Sequence, residues 1–573
     1  MTIRSVTPDK EIEVHLTDGR TLRGPRGTSV EDFLKASGIM LNAPIVGAIV
    51  NSSLREMHYK INTESTIKPV TTATADGARI YRRSLTFLLE FAFQQLFPKG
   101  TLTVDHSVGS GGYYCQVAGR DQLSDDELKM LIKGMQAQIT RDAPFVREEI
   151  PIEKAIRHFE ELGHRDKVAL LSHRQKDYLT VYKLGDYMNY HHGYMVSSAG
   201  YLRWFDLEAC EGGFVMRFPR RHKPTEILPR KDSPQLLSAF QIYGGWLRKL
   251  SIDNVGALNN AVLAGREQEI VLVSEALHEQ FVAEIARQIA ARRDDLRLIL
   301  IAGPSSSGKT TFSRRLTVQL LARGISPFPL ELDNYFVNRT DTPLDENGEL
   351  DFEILEALNL PLLAEHLQKL TRGERVKMPK FNFKTGISEI GEEVQLRKGQ
   401  LVILEGIHGM NPRLIPNSLL AQSFRIYVSA LTQLNLDRHN RVSTTDTRLI
   451  RRIVRDARER GYTAQDTISR WESVRRGEKR HIYPYQENAD LMFNSALAYE
   501  LAALKPFAEP LLRQVPYGTL EHIEAKRLLA FLEWFLPINA KLIPENSIAK
   551  EFLGGSVLKN FKWRQGNRTP VNK

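Results

Sequence analysis

Apolar and charged residues alternate along Glu11-Ile-Glu-Val-His-Leu-Thr17, the period of a half-buried strand, and Asp18-Gly19 supplies a hairpin turn before Thr21-Leu-Arg23. Ser29 caps a helix through Val30–Lys35, with Glu31 and Asp32 in its first turn, and Pro44–Val50 begins another strand region. The first 70 residues therefore read as a small α+β unit. Arg83 to Pro98 is an amphipathic helix ending in Leu-Phe-Pro, followed by a Gly109-Ser-Gly-Gly-Tyr-Tyr114 stretch. Further on, Leu277, Phe281, Ile285 and Ile289 recur at four-residue spacing inside a helical stretch from Ser274 to Arg293, enough for one buried face. After it the pattern changes to strand, glycine loop and helix. The tail from 516 to 573 carries an apolar helical run, Arg527–Pro537, which suits a packing element or an oligomer contact better than chemistry.

A chain of 573 residues is too long for one ordinary core and suggests three or four domains. Apolar residues at 42% and charged residues at 25% are the balance of a globular, ordered protein. Two cysteines, Cys115 and Cys210, build no disulfide framework and lack metal-site spacing, which predicts a reducing, cytoplasmic home. Met1–Ser5 runs into charged residues with no apolar core of a signal peptide, and no stretch approaches 18 apolar residues, so no membrane span is expected. A net charge of +10 favours anionic partners, nucleic acid or phosphorylated small molecules. Over this length the bias is modest, and where the charge sits matters more.

The strongest local signal is Leu298–Ala302, a short apolar strand that opens into Gly303-Pro-Ser-Ser-Ser-Gly308-Lys309-Thr310. This is the G-x-x-x-x-G-K-[ST] pattern at every required place. Gly303 and Gly308 let the backbone N–H groups of Ser305, Ser306, Ser307 and Thr311 turn toward phosphates. Lys309 reaches the β- and γ-phosphoryl oxygens, and the Thr310 hydroxyl ligates Mg²⁺. A helix follows, so its positive end also faces the anion. The signal says ATP or another nucleoside triphosphate, and no more.

Phe328–Phe336 places Asp333 at the end of a second apolar strand, where the carboxyl ends of parallel strands border the ligand crevice. A carboxylate there accepts the proton of an attacking hydroxyl, holds Mg²⁺, or merely caps a helix. Leu401–Leu404 ends in Glu405, which suits a strand presenting a carboxylate to a metal, while His408 reads as a loop residue. Between Arg438 and Arg460 stand eight arginines against Asp446, Asp456 and Glu459. Arg448, Arg452 and Arg455 lie at i, i+4 and i+7, placing three guanidinium groups on one helix face. Such a face is either solvated or, beside a phosphate loop, a lid that neutralises a transferring phosphoryl group.

Three family resemblances follow from these residues. Residues 1–70 resemble a TGS domain, the ubiquitin-sized module at the front of threonyl-tRNA synthetases. The order of the Arg83–Pro98 helix, Gly109–Tyr114, Glu148-Glu149, Ala155 and Gly185-Asp186-Tyr187 looks like the amino-acid-editing domain of the same enzymes, within 71–225. That family's H-x-x-x-H pair falls here at Arg83 and Phe87, and its later Cys and His at His191 and Met195. The fold is therefore expected to persist and the editing chemistry to be lost. Residues 226–295 read as a linker and helical connection. Residues 296–515 are similar to the uridine kinase/phosphoribulokinase branch of P-loop kinases, through the loop, Asp333-Asn-Tyr-Phe336, Asp351-Phe352, Lys377–Phe383, Leu404-Glu405 and Asp446-Thr-Arg-Leu-Ile-Arg-Arg-Ile-Val-Arg-Asp456.

The resemblance implies Asp333 as general base on a nucleoside 5′-hydroxyl and Asp351 as the ribose contact, with Arg452, Arg455 and Arg460 reaching phosphates or ribose. The base pocket departs from that family: Phe381-Asn-Phe383-Lys-Thr-Gly386 replaces its Y-D-F-x-x-H segment, and Tyr462 and Arg470 stand where it has Arg and Gln. Phe381, Phe383 and Tyr462 either stack on a flat base or pack as core. A polar pocket discriminates by about 10⁴ when its hydrogen bonds are specific, so these changes can redirect the acceptor. The expectation is a multidomain α/β protein, α+β TGS and editing-like domains before a P-loop kinase with a mainly parallel sheet. Its expected activity is ATP- and Mg²⁺-dependent phosphorylation of a nucleoside hydroxyl. The alternatives are another sugar or sugar phosphate as acceptor, or an ATPase that contacts RNA through the N-terminal half. A homo-oligomer fits any of them.

Overall fold

The computed structural model describes residues 10–346, 348–382, 384–397 and 399–563, with the backbone of 567–569. The alternating segment forms β1 (Glu11–Leu16), which turns through Gly19 into the antiparallel β2 (Thr21–Pro25). Ile12, Val14 and Leu16 point inward, as the period requires. The Ser29 hydroxyl accepts from the Asp32 amide at 3.1 Å and starts α1 (Val30–Ala36), whose Phe33 and Leu34 close the small core. With β3 (Ile45–Val50), β4 (Ser53–Arg55) and β5 (Ser65–Thr71) the sheet runs β2-β1-β5-β3-β4.

The helix expected from Arg83 begins earlier. α2 spans Ala75–Leu96 and is capped by Thr74, whose hydroxyl accepts from the Gly77 amide at 3.2 Å. Gly77 stands in the first turn of this helix. Here its missing side chain lets the first turn press on β5, because a Cβ would lie 2.0 Å from the Thr71 carbonyl oxygen. Then come β6 (Thr101–Val108), β7 (Gly112–Ala118), α3 (Asp125–Thr140), β8 (Val146–Pro151), α4 (Ile152–Glu161), α5 (Arg165–Leu171), β9 (Tyr178–Leu184), β10 (Tyr187–Asn189), β11 (Asp206–Cys210) and β12 (Gly213–Arg217). They form an antiparallel sheet, β11-β12-β7-β6, and a smaller one, β10-β9-β8, over α2.

The connecting region is three helices, α6 (Pro234–Lys249), α7 (Val255–Leu263) and α8 (Glu267–Ala291), which share one apolar core with the C-terminal half. On α8 the buried seam runs through Val271, His278, Val282, Ile285 and Ile289, while Leu277 and Phe281 sit at its flank. The four-residue spacing found the right helix and half of its face.

The C-terminal half is a five-stranded sheet in the order β14-β17-β13-β18-β19, every neighbouring pair parallel. β13 (Leu298–Ala302) is central and buried along its whole length, followed by α9 (Lys309–Leu321). Next are β14 (Phe328–Glu331), α10 (Leu360–Thr371), the antiparallel hairpin β15 (Arg375–Asn382) and β16 (Ile387–Gln395), β17 (Val402–Glu405), α11 (Asn417–Leu420) and β18 (Ser423–Ser429). α12 (Thr444–Glu459), α13 (Ala464–His481), β19 (Leu491–Asn494), α14 (Glu500–Arg513), α15 (Leu520–Leu532) and α16 (Ala549–Leu553) complete it. No helix among the described residues is long and apolar enough to cross a membrane.

Candidate active site

The glycine loop lies between β13 and α9. A Cβ on Gly303 would sit 1.9 Å from the Val428 carbonyl oxygen, so only glycine lets the loop leave β13 hard against β18. Ser306 at φ 57° and Gly308 at φ 85° take left-handed conformations that fold the chain back on itself. The carbonyls are then tied down on the outside. Arg448 Nε donates to Ser305 O at 2.8 Å, Arg451 Nη1 to Ser306 O at 3.3 Å, and Ser495 Oγ to Ser307 O at 2.5 Å. The amides of Ser306, Ser307, Gly308, Lys309 and Thr310 have no protein acceptor among the described residues. Five adjacent donors at the positive end of a helix form an anion cradle.

This changes the reading of the arginine helix. Arg448 does not share an exposed face with Arg452 and Arg455: it is fully buried, paired with Glu478, and Arg451 is buried against Glu500. Burial alone would raise the Glu478 carboxyl, but Arg448 and Arg475 hold it below the usual carboxylate range. It also accepts from the Ser305 amide at 3.1 Å. Arg448 and Arg451 thus shape the loop. Arg452 and Arg455 remain for the crevice: Arg452 Nη1 donates to Ser305 Oγ at 2.9 Å, and both pair with Asp456. Arg460, half-exposed, lies 3.4 Å from the same carboxylate.

Lys309 Nζ rests on the Pro304 carbonyl at 3.2 Å, over the mouth of the loop. Thr310 Oγ1 donates to Glu405 Oε2 at 3.1 Å. Glu405 ends β17 and Asp333 follows β14, its neighbour, in a single 3₁₀ turn (Leu332–Tyr335), so both acids stand at the carboxyl edge of the sheet. Burial, with Asp333, Glu331 and Glu551 nearby, pushes the Glu405 carboxyl up to about 7 against the pull of Lys309. The surrounding protein also raises Asp333, opposed by Lys309 and Arg460. A hydroxyl and a carboxylate facing one point, in a setting that disfavours bare negative charge, fit Mg²⁺, which binds through few protein oxygens and keeps water and phosphate ligands. Among the described residues no group of three or more His, Cys, Asp and Glu is poised to hold a metal without such help.

On the far side Asp351 accepts from the Glu353 amide at 2.9 Å. Phe381 is 6% exposed and packs on Phe336 with ring centres 5.6 Å apart, so it belongs to the core and not to a stacking surface. Phe352, named from the sequence only as part of the Asp351-Phe352 piece, is the exposed ring of that group, 6.1 Å from Phe336. Tyr462 is exposed, but Arg470 already lies over its ring at 4.8 Å. Phe383 lies outside the described residues. Sequence reading also missed Glu478. Its signal was a lone acid inside Arg475-Arg-Gly-Glu-Lys-Arg480, which calls for buried partners.

The second cleft, where the sequence resemblance expects editing residues, is filled. Arg83 donates to the Tyr194 carbonyl, Phe87 packs edge-on against Phe145, and Met195 is buried. His191 is buried 3.0 Å from Glu90, and His192 accepts from Trp534 Nε1 at 3.1 Å, so the doublet is structural. A loop of the C-terminal half, Asn435–Arg441, enters this space. His439 contacts Asn189 at 3.1 Å, Asp437 pairs with Lys167 at 3.1 Å, and Arg438 forks onto Asp166.

Comparison with known proteins finds relatives of two kinds. Residues 298–501 match the Phosphoribulokinase / Uridine kinase family. A uridine kinase of Deinococcus deserti is 29% identical over 196 residues, 34% of this chain and 86% of that one. A threonine–tRNA ligase of Clostridium kluyveri is 27% identical over 204 residues, 35% of this chain and 32% of that one. The chain thus spans about a third of the length of the threonine–tRNA ligases it matches. Among solved structures, a possible uridine kinase from Bacillus stearothermophilus is similar at 16% identity and TM-score 0.25, over 35% of this chain and 89% of that one. A putative fructose transport system kinase from Silicibacter sp. TM1040 is similar at 20% identity and TM-score 0.28, over 37% and 98%. The C-terminal region of this protein, residues 298–501, matches the Phosphoribulokinase / Uridine kinase family, and its N-terminal part is similar to threonine–tRNA ligases.

Proposed function

We propose that this protein transfers the terminal phosphoryl group of ATP to a hydroxyl of a nucleoside. The observation that carries the reading is the cradle of five free amides, from Ser306 to Thr310, closed by Lys309 and facing Asp333 and Glu405 across the crevice. ATP would supply the phosphoryl group, and Mg²⁺ held at Thr310 and Glu405 would neutralise its charge. The chain's own residues do the rest. The amides and Lys309 bind and orient the triphosphate, and Arg452, braced on Ser305, adds positive charge where it develops. Asp333 takes the acceptor proton. A carboxyl raised from its ordinary value by its surroundings is a better base for a hydroxyl than a fully solvated one.

The acceptor end supports a nucleoside not restricted to pyrimidines. Phe381 is in the core, and Arg470 covers Tyr462, so neither offers the edge-reading contacts of a dedicated pyrimidine pocket. Both cysteines are free, which supports a cytoplasmic setting. The test is an ATP-consumption screen across nucleosides, sugars and sugar phosphates. We expect turnover with a nucleoside, and Asp333→Asn should lower it about 10²–10⁴-fold with nucleotide affinity retained. Lys309→Ala should weaken both. Transfer to a sugar phosphate alone would replace the nucleoside assignment. ATP hydrolysis stimulated by RNA, with no acceptor phosphorylated, would remove the kinase reading.

A further inference from the structure

The segment after α15 returns to the glycine loop. Glu551, on α16, accepts from the Thr311 amide at 3.1 Å and from the Thr311 hydroxyl at 2.8 Å through the same carboxylate oxygen. Thr311 is in the first turn of α9, directly after the five free amides, and Phe312 is the first residue there whose amide bonds within the helix, to Gly308 at 3.0 Å. The Glu551 carboxylate therefore fills the sixth place in the row of donors that would hold a polyphosphate.

The contact is built. Ile548, wholly buried, lies against Gly308 so closely that a Cβ there would come within 2.6 Å of it. Phe552 is buried beneath the guanidinium of Arg451, 4.8 Å away. From α12, Arg458 donates to the carbonyls of Glu551 at 3.0 Å and Phe552 at 2.5 Å. Ser547 donates to Glu275 on α8. Glu551 also adds its negative charge to the group that raises Glu405. A tail meant only for packing needs no carboxylate at the positive end of the phosphate-binding helix.

We propose that the C-terminal segment around Glu551 is an internal competitor for the nucleotide, its carboxylate holding the Thr311 donor until a nucleoside triphosphate displaces it. This rests on the glycine loop being a nucleotide site, as the kinase reading requires. Two consequences follow. Nucleotide binding must release the segment, and anything that holds Arg458 on the Glu551 and Phe552 carbonyls keeps the site shut.

The test uses the full chain and the Mg²⁺ complex of a slowly hydrolysed ATP analogue. Titration calorimetry should show Glu551→Gln binding about tenfold more tightly than the parent, the scale of one charge-assisted hydrogen bond exchanged. Arg458→Ala, which loosens the segment without touching the loop, should shift affinity the same way. Hydrogen exchange over residues 545–556 should speed up in the parent at saturating nucleotide. Equal or weaker binding by Glu551→Gln, or unchanged protection of 545–556 at saturation, overturns the proposal while the kinase reading stands. Loss of binding in every form, Glu551→Gln included, overturns both.

Discussion

Asp437→Ala tests the joint between the two halves. Asp437 and Lys167 have fully buried side chains 3.1 Å apart. Asp437 also accepts from the Tyr190 hydroxyl at 2.6 Å, the amides of His439 and Asn440 at 2.9 and 3.1 Å, and Asn440 Nδ2 at 2.8 Å. Burial would raise this carboxyl, yet Lys167 foremost holds it well below the usual carboxylate range. Alanine leaves the Lys167 ammonium in a dry pocket without its ion-pair partner, against the faces of Tyr190 at 4.5 Å and Phe159 at 5.5 Å, with Asp166 and Glu90 acting on it only through space. Breaking a buried pair from one side typically costs about 3–5 kcal/mol, because the orphaned charge cannot reach water. That is a large part of the 5–15 kcal/mol that usually holds a domain. The loss should appear as an earlier urea transition in tryptophan fluorescence, since Trp534 stacks on Tyr190 at 6.0 Å. Lys167→Met should cost a similar amount. The double variant Lys167→Met/Asp437→Leu, with no orphaned charge left, should lose clearly less than the sum of the two, the remainder coming from the four donors that Asp437 satisfied. A loss below about 1 kcal/mol, or strict additivity, would show that the pair does not hold the halves together.

Gly303→Ala should abolish nucleotide binding and lower stability together, since its methyl group needs the space of the Val428 carbonyl; normal ATP affinity would contradict the loop geometry. Burial opposes, but Arg527 and Arg79 hold the Glu524 carboxyl down at about 2, below its ordinary 4.5. A depressed folded-state value means stability that is present above pH 4.5 and lost as pH falls toward 2. The loss should be on the order of 3 kcal/mol and absent in Glu524→Gln. The full chain should not deacylate mischarged tRNA above background, because the second cleft holds Phe87, Met195 and the Asn435–Arg441 loop; measurable release of amino acid would refute this.

What was legible in the sequence is what short-range rules specify. The glycine loop, its flanking strand and helix, and the acids at strand ends are local patterns with a physical reason for their spacing. The structure gathers Lys309, Thr310, Asp333 and Glu405 as those patterns imply. The arginines of α12 were a different problem. Periodicity places Arg448 and Arg452 on one face, but which of them reaches the crevice depends on Glu478, 30 residues further on. Arg451 is decided by Glu500, 49 residues away. A helix of alternating charge carries no mark of which cations have buried partners. The same holds for Phe381, which packs on Phe336, a residue of the separate segment that follows β14.

The two halves meet where both sequence readings left something over. In the N-terminal half Arg83, Phe87 and Met195 stand where the resemblance expects polar editing residues, and the C-terminal half carries Asn435–Arg441, a polar stretch between β18 and α12. The structure sets one into the other, with the Arg438 carbonyl accepting from the Val104 amide at 2.8 Å and Asn435 accepting from Val255 at 2.9 Å. α12 begins three residues after this anchored loop and carries Arg448, Arg451 and Arg452, which shape and face the phosphate cradle. Its first turn is clamped again, because Asp446 pairs with Arg527 on α15, and Arg527 shares Glu524 with Arg79 of α2. The N-terminal half is therefore bonded, through α2 and this loop, to the helix that shapes the glycine loop. The space beside Glu90 and His191 is, on this geometry, the seat of the loop that leads into the arginine helix.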